Sequence, residues 1–310
     1  MSIVVTGGFG FIGSHLVEEL VQRGHEVKVI GLPCHLENLE AVQERSKLIR
    51  LDIRDRDAVN KAIDLEVEGV LHLAALINVD QSIESPEQFF ETNVAATLDI
   101  MEVMRKKSIP KLLYMSTCEV YGNIPQGKAD ENYPTNPRSP YAASKFAADR
   151  YLLAYAYTYD KPRITVIRGF NQYGPRQNAG QGGAVIPRFI TKLLDGQKIQ
   201  LYGDGHQTRD YLYVKDTVRG IADAFEKNLP TGEVINLGTG VDTSIRDIAI
   251  ALCKLTGKEP ERYIEFVRER PGELMRSCGD YSKAKRLLAW EPVVSFEQGL
   301  SLTFDWYSNR

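Results

Sequence analysis

The chain has 310 residues, of which 43% are hydrophobic and 25% are charged, and its formal net charge is −3. This length accommodates one large domain or two packed lobes, and the charge excludes the strongly basic surface of many nucleic-acid-binding proteins. No apolar run approaches the ~20 residues that a membrane-spanning helix needs. The N-terminal stretch MSIVVTGG lacks the features of a signal peptide. The four cysteines are widely separated, so we expect a cytoplasmic protein with no metal site.

The first half of the chain alternates between the hydrophobic periods of strands and helices. The predicted strands are IVV (3–5), EVKVIG (26–31), SKLIRLDI (46–53), GVLHLAA (69–75) and KLLYMST (111–117). The predicted helices are SHLVEELVQRG (14–24), which ends at a glycine, and RDAVNKAI (56–63). This alternation predicts an α/β fold with a doubly wound parallel sheet, the Rossmann architecture.

The second half of the chain is less regular. The glycine-rich stretch NQYGPRQNAGQGGAVIP (171–187) predicts a long loop, and loops of that length are usually functional. FITKLLDG predicts a short helix, and KIQLYGDG predicts a strand and a turn. SIRDIAIALCKLTG (244–257) predicts an amphipathic helix that is capped by Thr243 or Ser244.

A glycine-rich turn, TGGFGFIGSH, connects the first strand to the first helix. Gly7, Gly10 and Gly13 are three residues apart. Such a turn lets backbone N–H groups approach a phosphate, and the start of the helix adds a favourable dipole. The alternative is a tight turn that only packs, but its place after the first strand of an alternating chain favours a dinucleotide site.

The end of the second strand bears on which dinucleotide is bound. An acidic residue usually stands there to bind the ribose hydroxyls, whereas this chain has Gly31. No lysine or arginine follows closely to hold a 2′-phosphate, and the nearest basic candidate is His35. We therefore predict NAD rather than NADP, with Asp52 against the adenine.

Tyr141 and Lys145 lie in SPYAASKFAADRYLLAYAY, which predicts a helix that would place them on one face. An ammonium near a phenol lowers the pKa of the phenol, and such a tyrosine can act as a general base. The alternative is an ordinary aromatic–lysine pair. The glycine-rich turn upstream and the hydroxyls that end an intervening strand favour the catalytic interpretation.

The stretch STCEVYG places a hydroxyl, a thiol and a carboxylate in succession at Thr117, Cys118 and Glu119. Thr117 and Glu119 are two residues apart at a predicted strand end, so we expect them to face the same side. Glu119 is then a candidate general base, the alternative being a carboxylate that only caps a backbone amide. Cys118 is either a proton donor or an inert thiol.

The motifs TGGFGFIG, LHLAA, STCEVYG, YAASK and RGFNQYGP occur in the order and approximate spacing of the extended short-chain dehydrogenase/reductases. The chain most resembles their nucleotide-sugar epimerase and dehydratase branch. The resemblance implies that Tyr141 deprotonates the sugar 4-hydroxyl, that Lys145 binds the nicotinamide ribose, and that Thr117 hydrogen-bonds the sugar oxygen. A hydride then passes from C4 of the sugar to NAD.

The resemblance also implies two binding sites and two domains. An NAD-binding domain would span 1–168, with a return segment at about 208–238, and a smaller C-terminal α/β substrate domain would span 169–207 and 239–310. Besides the catalytic pair, the implied cofactor site contains Gly7, Gly10, Phe11, Ile12, Gly13, Asp52, Ile53, Leu73, Ala74, Ala75 and Phe170. The implied site for a UDP- or dTDP-linked hexose contains Asn171, Val185, Tyr202, Arg209 and Arg270. The arginines would bind the diphosphate, and a homodimer would form through the helix from 140 and the helix near 87–107.

Glu119 discriminates among the reactions of this branch, because dehydration needs a base for the C5 proton and simple 4-epimerases usually carry no carboxylate there. The triplet T-C-E resembles the tunicamycin-pathway NDP-hexosamine 5,6-dehydratases. We therefore predict a nucleotide-sugar dehydratase, by 5,6- or 4,6-elimination, with a 4-epimerase as the alternative. A UDP-glucuronate decarboxylase is less favoured, since the carboxylate-binding arginine aligns near Ser277, beside Arg276. A catalytically silent NAD-binding regulator is disfavoured because the tyrosine and lysine are retained.

Overall fold

A computed structural model describes residues 2–32, 35–180, 182–269 and 274–310 of the protein. The strands are β1 (Ser2–Thr6), β2 (Glu26–Gly31), β3 (Ser46–Arg50), β4 (Val67–His72), β5 (Lys111–Thr117), β6 (Arg163–Gly169), β7 (Asn171–Tyr173), β8 (Ile199–Tyr202), β9 (Thr208–Tyr213), β10 (Glu233–Leu237), β11 (Asp242–Ser244), β12 (Ile264–Val267) and β13 (Arg276–Ser277). The α-helices are α1 (Phe11–Gln22), α2 (Arg56–Ala62), α3 (Val79–Glu84), α4 (Pro86–Phe89), α5 (Ala96–Lys106), α6 (Pro140–Thr158), α7 (Val185–Leu194), α8 (Val214–Glu226), α9 (Ile245–Leu255), α10 (Pro260–Tyr263), α11 (Ser282–Leu288) and α12 (Phe296–Ser308). Two 3₁₀ segments (Leu36–Arg45 and Cys118–Tyr121) and one π-helical segment (Phe90–Ala95) complete the helical structure.

The large sheet has seven strands in the order β10-β6-β5-β4-β1-β2-β3. Every neighbouring pair is parallel, which confirms the predicted Rossmann architecture. Parallel strands carry their carboxyl ends to one edge, where ligands bind in open α/β sheets. Thr6, His72, Thr117 and Gly169 end adjacent strands at that edge.

Helices cover both faces of this sheet, as expected for a doubly wound fold. On one face the apolar sides of α1 and α8 form a core with the strands, with Leu16 and Ile221 fully buried. On the other face α2, α5 and α6 do the same, with Ile100 and Leu152 fully buried. Complete burial of each such side chain is worth about 1.5–3 kcal/mol.

A smaller unit forms around β9, which pairs in parallel with β7 and β13 and antiparallel with β11. A separate parallel pair, β8 and β12, lies beside it. Helices α7, α9 and α12 supply the core, which includes Phe189, Ile190, Ile248 and Leu252. Within the predicted return segment, β9 belongs to this smaller unit, whereas α8 and β10 pack with the large sheet.

Several element boundaries differ from the sequence prediction. The strand predicted at 46–53 ends at Arg50, and the strand predicted at 69–75 ends at His72. The predicted long loop at 171–187 includes β7 and the first turn of α7. Ser244 is the cap of α9, since its hydroxyl accepts a hydrogen bond from the Asp247 amide at 3.0 Å. Among the helices that the structure describes, none combines the length and apolarity needed to cross a bilayer.

Candidate active site

A cleft of about 770 Å³ opens at the carboxyl edge of the large sheet and extends to the smaller unit. Its lining collects residues that are far apart in sequence. From the predicted sites these are Gly7, Gly10, Phe11, Ile12, Gly13, Asp52, Ile53, Leu73, Ala74, Ala75, Thr117, Cys118, Glu119, Tyr141, Lys145, Phe170, Asn171, Val185 and Arg209. One cleft therefore contains the predicted catalytic and cofactor residues together with three predicted substrate residues.

The glycine-rich turn forms the floor of the cleft at its cofactor end. Gly7 has a φ of +70°, and a Cβ there would lie 2.7 Å from the Ala74 amide nitrogen. A Cβ on Gly13 would lie 2.2 Å from the Gly7 carbonyl oxygen. α1 begins after Gly10, which has no side chain to cap the first amides of the helix, and residues 10–13 line the cleft. Such a cradle fits the diphosphate of a dinucleotide.

The opposite wall of the cofactor end contains an ion pair that sequence reasoning missed. Arg54 lines the cleft beside Gly31 and Asp52. Its Nη2 atom lies 2.6 Å from Asp52 Oδ2, and this contact lowers the pKa of the Asp52 carboxyl. The motif LDIRD contained the signal, because Arg54 follows the predicted adenine contact by two residues.

Tyr141 lies in the cleft wall at the start of α6 and is almost wholly buried. Burial raises the pKa of its phenol, the Glu119 carboxylate raises it further, and a hydrogen bond with Thr117 lowers it. The predicted lowering of the Tyr141 pKa by Lys145 is therefore wrong for this structure. Desolvation of the phenol outweighs the hydrogen bond that favours phenolate.

Lys145 is 3% exposed on the next turn of α6. Burial lowers the pKa of its ammonium from 10.5 to about 7, and the Asp149 carboxylate acts in the opposite direction. Its Nζ atom lies 4.2 Å from the ring centroid of Tyr114, a cation–π distance. Lys145 therefore changes its charge near neutral pH, which suits a residue that tunes a proton transfer.

Glu119 lines the cleft, but it does not lie on a continued strand as the sequence predicted. β5 ends at Thr117, and the 3₁₀ segment from Cys118 carries Glu119. The Glu119 amide donates to Thr117 Oγ1 at 3.2 Å, so a side chain caps the Glu119 backbone. A tight turn, rather than a continued strand, brings the hydroxyl and the carboxylate to one cleft.

Cys118 is 4% exposed, and Ser277 Oγ lies 3.9 Å from its sulfur. Burial is the main cause that raises the pKa of the thiol to about 12. A thiol with that pKa is a poor proton donor at neutral pH, which favours the inert alternative for Cys118.

At the substrate end, only some of the predicted residues line the cleft. Arg209 lines it, and its Nη1 atom donates to the Thr208 carbonyl at 2.9 Å. Tyr202 ends β8 and is not among the described residues that line the cleft, and Arg270 lies outside the described residues. The guanidinium of Arg276 binds Asp242 and two backbone carbonyls in the 124–127 turn.

Other cleft residues were missed because no local motif marks them. They come from the loop after β4, from the segments around α4, and from the stretch that runs from β7 through β9. They include Leu76, Ile77, Gln88, Thr92, Gln172, Gln177 and Tyr211. Of these, Gln172 and Gln177 lie in the glycine-rich stretch 171–187, and Leu76 and Ile77 directly follow the LHLAA motif.

Comparison with known proteins shows similarity to nucleotide-sugar dehydratases and epimerases along nearly the whole chain. The sequence profile of the GDP-mannose 4,6 dehydratase family matches residues 4–303. A putative UDP-glucose 4-epimerase of Methanocaldococcus jannaschii is 36% identical over 99% of both chains. A dTDP-glucose 4,6-dehydratase of Xanthomonas campestris is 37% identical over 98% of this chain and 92% of its own.

The fold also resembles that of a solved structure of this kind of enzyme. The dTDP-glucose 4,6-dehydratase DesIV of Streptomyces venezuelae, crystallised with NAD, superposes with a TM-score of 0.94 and 34% identity, over 100% of this chain and 98% of that one. The predicted NAD cofactor is confirmed at the level of the family. The chain is an enzyme of the extended short-chain dehydrogenase/reductases and belongs to their NAD-dependent nucleotide-sugar epimerase and dehydratase family.

Proposed function

We propose that the protein is a nucleotide-sugar dehydratase that binds NAD and a UDP- or dTDP-linked hexose. The observation that carries the proposal is the Glu119 carboxylate in the same cleft as Thr117, Tyr141 and Lys145. The named relatives act on these two kinds of nucleotide sugar. We assign the activity to the cytoplasm, since the described thiols of Cys118, Cys253 and Cys278 are all free.

The residues divide the reaction into two proton transfers. NAD held by the glycine-rich turn would supply a reversible acceptor for the C4 hydride. Tyr141 accepts the proton of the sugar 4-hydroxyl as the phenolate, after its own proton has been lost to solvent against the effect of burial, and Thr117 holds the same oxygen. The resulting 4-ketone acidifies the C5 proton, which Glu119 removes as the general base.

Loss of the 6-hydroxyl requires a proton donor, and Cys118 is unsuited because burial raises the pKa of its thiol to about 12. The Glu119 carboxyl carries a proton once it has taken one from C5. It can deliver that proton to the departing oxygen, so one side chain serves as base and then as acid. Return of the hydride to C4, with the Tyr141 proton returned to O4, leaves a 5,6-double bond. Return of the hydride to C6, with a proton from solvent delivered to C5, gives a 4-keto-6-deoxy sugar.

The alternative function is a nucleotide-sugar 4-epimerase. It is favoured by the putative UDP-glucose 4-epimerase that matches the whole chain and by the weak acidity of Cys118. A decarboxylase is disfavoured, because Arg276 is already bound to Asp242 and backbone carbonyls. Retention of Tyr141 and Lys145 in the cleft likewise disfavours a silent regulator.

Glu119→Gln tests the dehydratase against the epimerase. The variant should still transfer a hydride from C4, because Tyr141, Thr117 and Lys145 are unchanged. It should lose exchange of the C5 proton with solvent, and turnover should fall by about 10²- to 10⁴-fold, the usual contribution of a general base. Labelled substrate, followed by mass spectrometry of the product, measures both steps.

Cys118→Ser is the matched variant, since it changes the neighbouring side chain and leaves the carboxylate in place. We expect it to keep most of the turnover. Full turnover by Glu119→Gln with the 4-epimer as the only product would refute the dehydratase. A large loss in Cys118→Ser alone would instead make the thiol the proton donor.

We further propose that the protein is a homodimer that buries the outer surfaces of α6 and of the neighbouring helical segment from Phe90. Tyr151 is 51% exposed and Phe90 is 60% exposed. Large apolar groups on adjoining helices favour a protein interface. We expect a dimer mass by light scattering at micromolar concentration and a shift toward monomer in Tyr151→Glu. A monomer mass for the unmodified protein contradicts this prediction.

A further inference from the structure

The face of the large sheet that packs against α6 carries an aromatic side chain beneath Lys145. From this contact we infer that Tyr114 is a positioning residue whose ring holds the Lys145 ammonium at the wall of the cleft and keeps it charged. The inference deepens the proposed function, on which it rests for the part that Lys145 plays in the reaction. Tyr114 acts from behind the cleft, because it is not among the described residues that line it.

The register between β5 and α6 brings two pairs of side chains together. Side chains two apart in a strand face one side of the sheet, and side chains four apart in a helix lie on one face. Tyr114 and Ser116 of β5 therefore both face α6, where they meet side chains on successive turns. The Lys145 Nζ atom lies 4.2 Å from the centroid of the Tyr114 ring. On the next turn, Asp149 Oδ2 accepts a hydrogen bond from Ser116 Oγ at 3.2 Å.

The Asp149 carboxylate lies one turn beyond Lys145 on α6, but another cation binds it. Arg168 Nε donates to Oδ2 at 2.9 Å, and Arg168 Nη2 donates to Oδ1 at 3.2 Å. Both residues of this pair are buried. A guanidinium that binds both oxygens of a carboxylate fixes its orientation and balances its charge. Asp149 therefore acts on Lys145 through space rather than as its ion-pair partner, and its effect on the Lys145 pKa is smaller than that of burial.

The Tyr114 ring gives the ammonium a direct stabilising contact. The face of an aromatic ring attracts a cation, and the attraction is strongest where water is excluded. Lys145 meets that condition, since it is 3% exposed. The ring therefore opposes the burial that lowers the Lys145 pKa from 10.5 to about 7. Because Lys145 also lines the cleft, the ring covers one side of the ammonium and leaves the cleft side for a ligand.

The hydroxyl of Tyr114 has no comparable contact. Its oxygen is buried and makes no hydrogen bond to a described residue. A buried hydroxyl without a partner costs free energy, so the useful part of the side chain is its ring. Burial raises the pKa of the Tyr114 phenol well above its ordinary value, which keeps the phenol uncharged. Tyr114 therefore offers Lys145 a neutral ring face rather than an opposite charge.

The remaining ionisable side chains near Lys145 lie on β4, on α6 and on the 3₁₀ segment after β5. His72, at the end of β4, is neutral because burial lowers its pKa to about 3. Burial raises the pKa of the Tyr141 phenol and that of the Cys118 thiol, so both keep their protons. The Glu119 carboxylate acts on both of these groups in the same direction as burial. Because His72, Tyr141 and Cys118 titrate far from pH 7, we assign a change of charge near that pH to Lys145.

A titration of Lys145 in the ligand-free protein tests the inference directly. Lysine labelled with carbon-13 at Cε reports the charge of each ammonium by NMR, and the Lys145 signal is the one absent from Lys145→Met. Tyr114→Leu should lower the midpoint of this titration by about one pH unit, on the scale of a desolvated cation–π contact. Tyr114→Phe is the matched variant because it keeps the ring, and its midpoint should stay where it is in the unmodified protein.

Two further variants separate the electrostatics of the ring from its volume. Pentafluorophenylalanine at position 114 keeps the shape of the ring but reverses its quadrupole, so the midpoint should fall toward that of Tyr114→Leu. Phe225→Leu removes a different buried ring, on the opposite face of the sheet. It should lower the temperature of unfolding and leave the Lys145 midpoint unchanged. An unchanged midpoint in both Tyr114→Leu and the fluorinated protein would show that Tyr114 only fills the core.

The pH profile of turnover gives a second readout. Loss of the Lys145 proton should end activity on the alkaline side, so in Tyr114→Leu that limb should move to lower pH by an amount similar to the NMR shift. Tyr114→Phe should keep the profile. A profile that stays in place while the midpoint moves would overturn the role of the ring in the reaction. If the unmodified protein converts no nucleotide sugar, the proposed function fails, whereas the titration of the ligand-free protein still tests the contact between Tyr114 and Lys145.

Discussion

The two ends of the cleft are lined by different kinds of chemical group. At the cofactor end the contacts come from backbone, because Gly7, Gly10 and Gly13 bring amide groups to the cleft with no side chains between. At the reacting end they come from side chains, such as those of Glu119 and Arg209. Added atoms at Gly7 or Gly13 would therefore disrupt the first end, whereas the second end loses its function when side-chain atoms are removed.

The same difference decides how each end responds to its electrostatic surroundings. Backbone amides keep their charge distribution at any pH, so the cofactor end acts as a fixed cradle. The reacting end depends on ionisable groups whose pKa values are changed by burial: the pKa of Tyr141 is raised, and that of Lys145 is lowered to about 7. Changes in pH should therefore alter the reaction more than cofactor binding.

Gly13→Ala gives the largest expected effect on the backbone-built end. A Cβ there would lie 2.2 Å from the Gly7 oxygen and 2.7 Å from the Gly8 Cα, so backbone must move. We expect NAD affinity to fall by more than about a hundredfold, on the scale of 3 kcal/mol for an overpacked site. Isothermal calorimetry with NAD measures it.

Gly10→Ala is the matched control in the same turn. Its added Cβ would meet only the Gly7 oxygen, at 3.3 Å, which a small shift relieves. We expect a loss in NAD affinity several-fold smaller than in Gly13→Ala. Equal losses in the two variants would show that steric contact with Gly7 is not the deciding factor.

Arg209→Ala gives the next largest effect, at the side-chain-built end. Removal of the guanidinium should weaken binding of a nucleoside diphosphate by about 1.5–3 kcal/mol, the scale of a hydrogen bond to a charged group. Binding of NAD should change little, because its cradle is backbone. Calorimetry with each ligand separates the two.

Arg262→Ala is the control for charge alone, since Arg262 is 78% exposed on α10 and pairs with Glu259. It should leave both affinities unchanged. A collapse of NAD affinity in Arg209→Ala, with nucleotide affinity retained, would reverse the assignment of the two ends.

The cofactor end could be predicted from the sequence because its residues are contiguous and fixed by backbone geometry. Gly7, Gly10 and Gly13 stand in one turn, and the alternation of strands and helices placed that turn at the right edge. The hydrogen bonds of the buried Asn93 amide could not be predicted in this way, since their partners Leu76 and Ser144 lie 17 and 51 residues away from it. Only the folded chain, with its π-helical segment at Phe90–Ala95, brings the three together.

At the reacting end, the residues that the sequence predicted lie in one cleft, whereas the predicted direction of the Tyr141 pKa shift is wrong. Helical spacing placed Tyr141 and Lys145 in one cleft, as expected. Spacing does not report burial, and burial sets the direction of both pKa shifts. Prediction of a phenolate from a tyrosine–lysine pair therefore requires the solvent exposure that only the fold supplies.

Lys145→Met gives the smallest expected change, and it concerns stability rather than binding. Because burial lowers the Lys145 pKa from 10.5 to about 7, the unfolded chain binds more protons than the folded one between those values. The stability contributed by this group therefore rises with pH from about 7 to 10.5, and at or below pH 7 its burial costs the most. Methionine has a similar length and no charge, so the variant should be more stable at pH 7.

The expected gain is roughly 1–2 kcal/mol, less than a shift of this size allows at 1.36 kcal/mol per unit, because the variant also loses the contact with the Tyr114 ring. Chemical denaturation at several pH values should show the gain shrinking as the pH rises toward 10.5, while hydride transfer is lost throughout. Lys61→Met, at an exposed position on α2, should show no such trend. A Lys145→Met protein that is less stable than the unmodified chain at pH 7 would mean that the buried ammonium stabilises the fold. Burial of charge at the reacting end would then cost the folded protein no stability, as is the case for the backbone groups of the cofactor end.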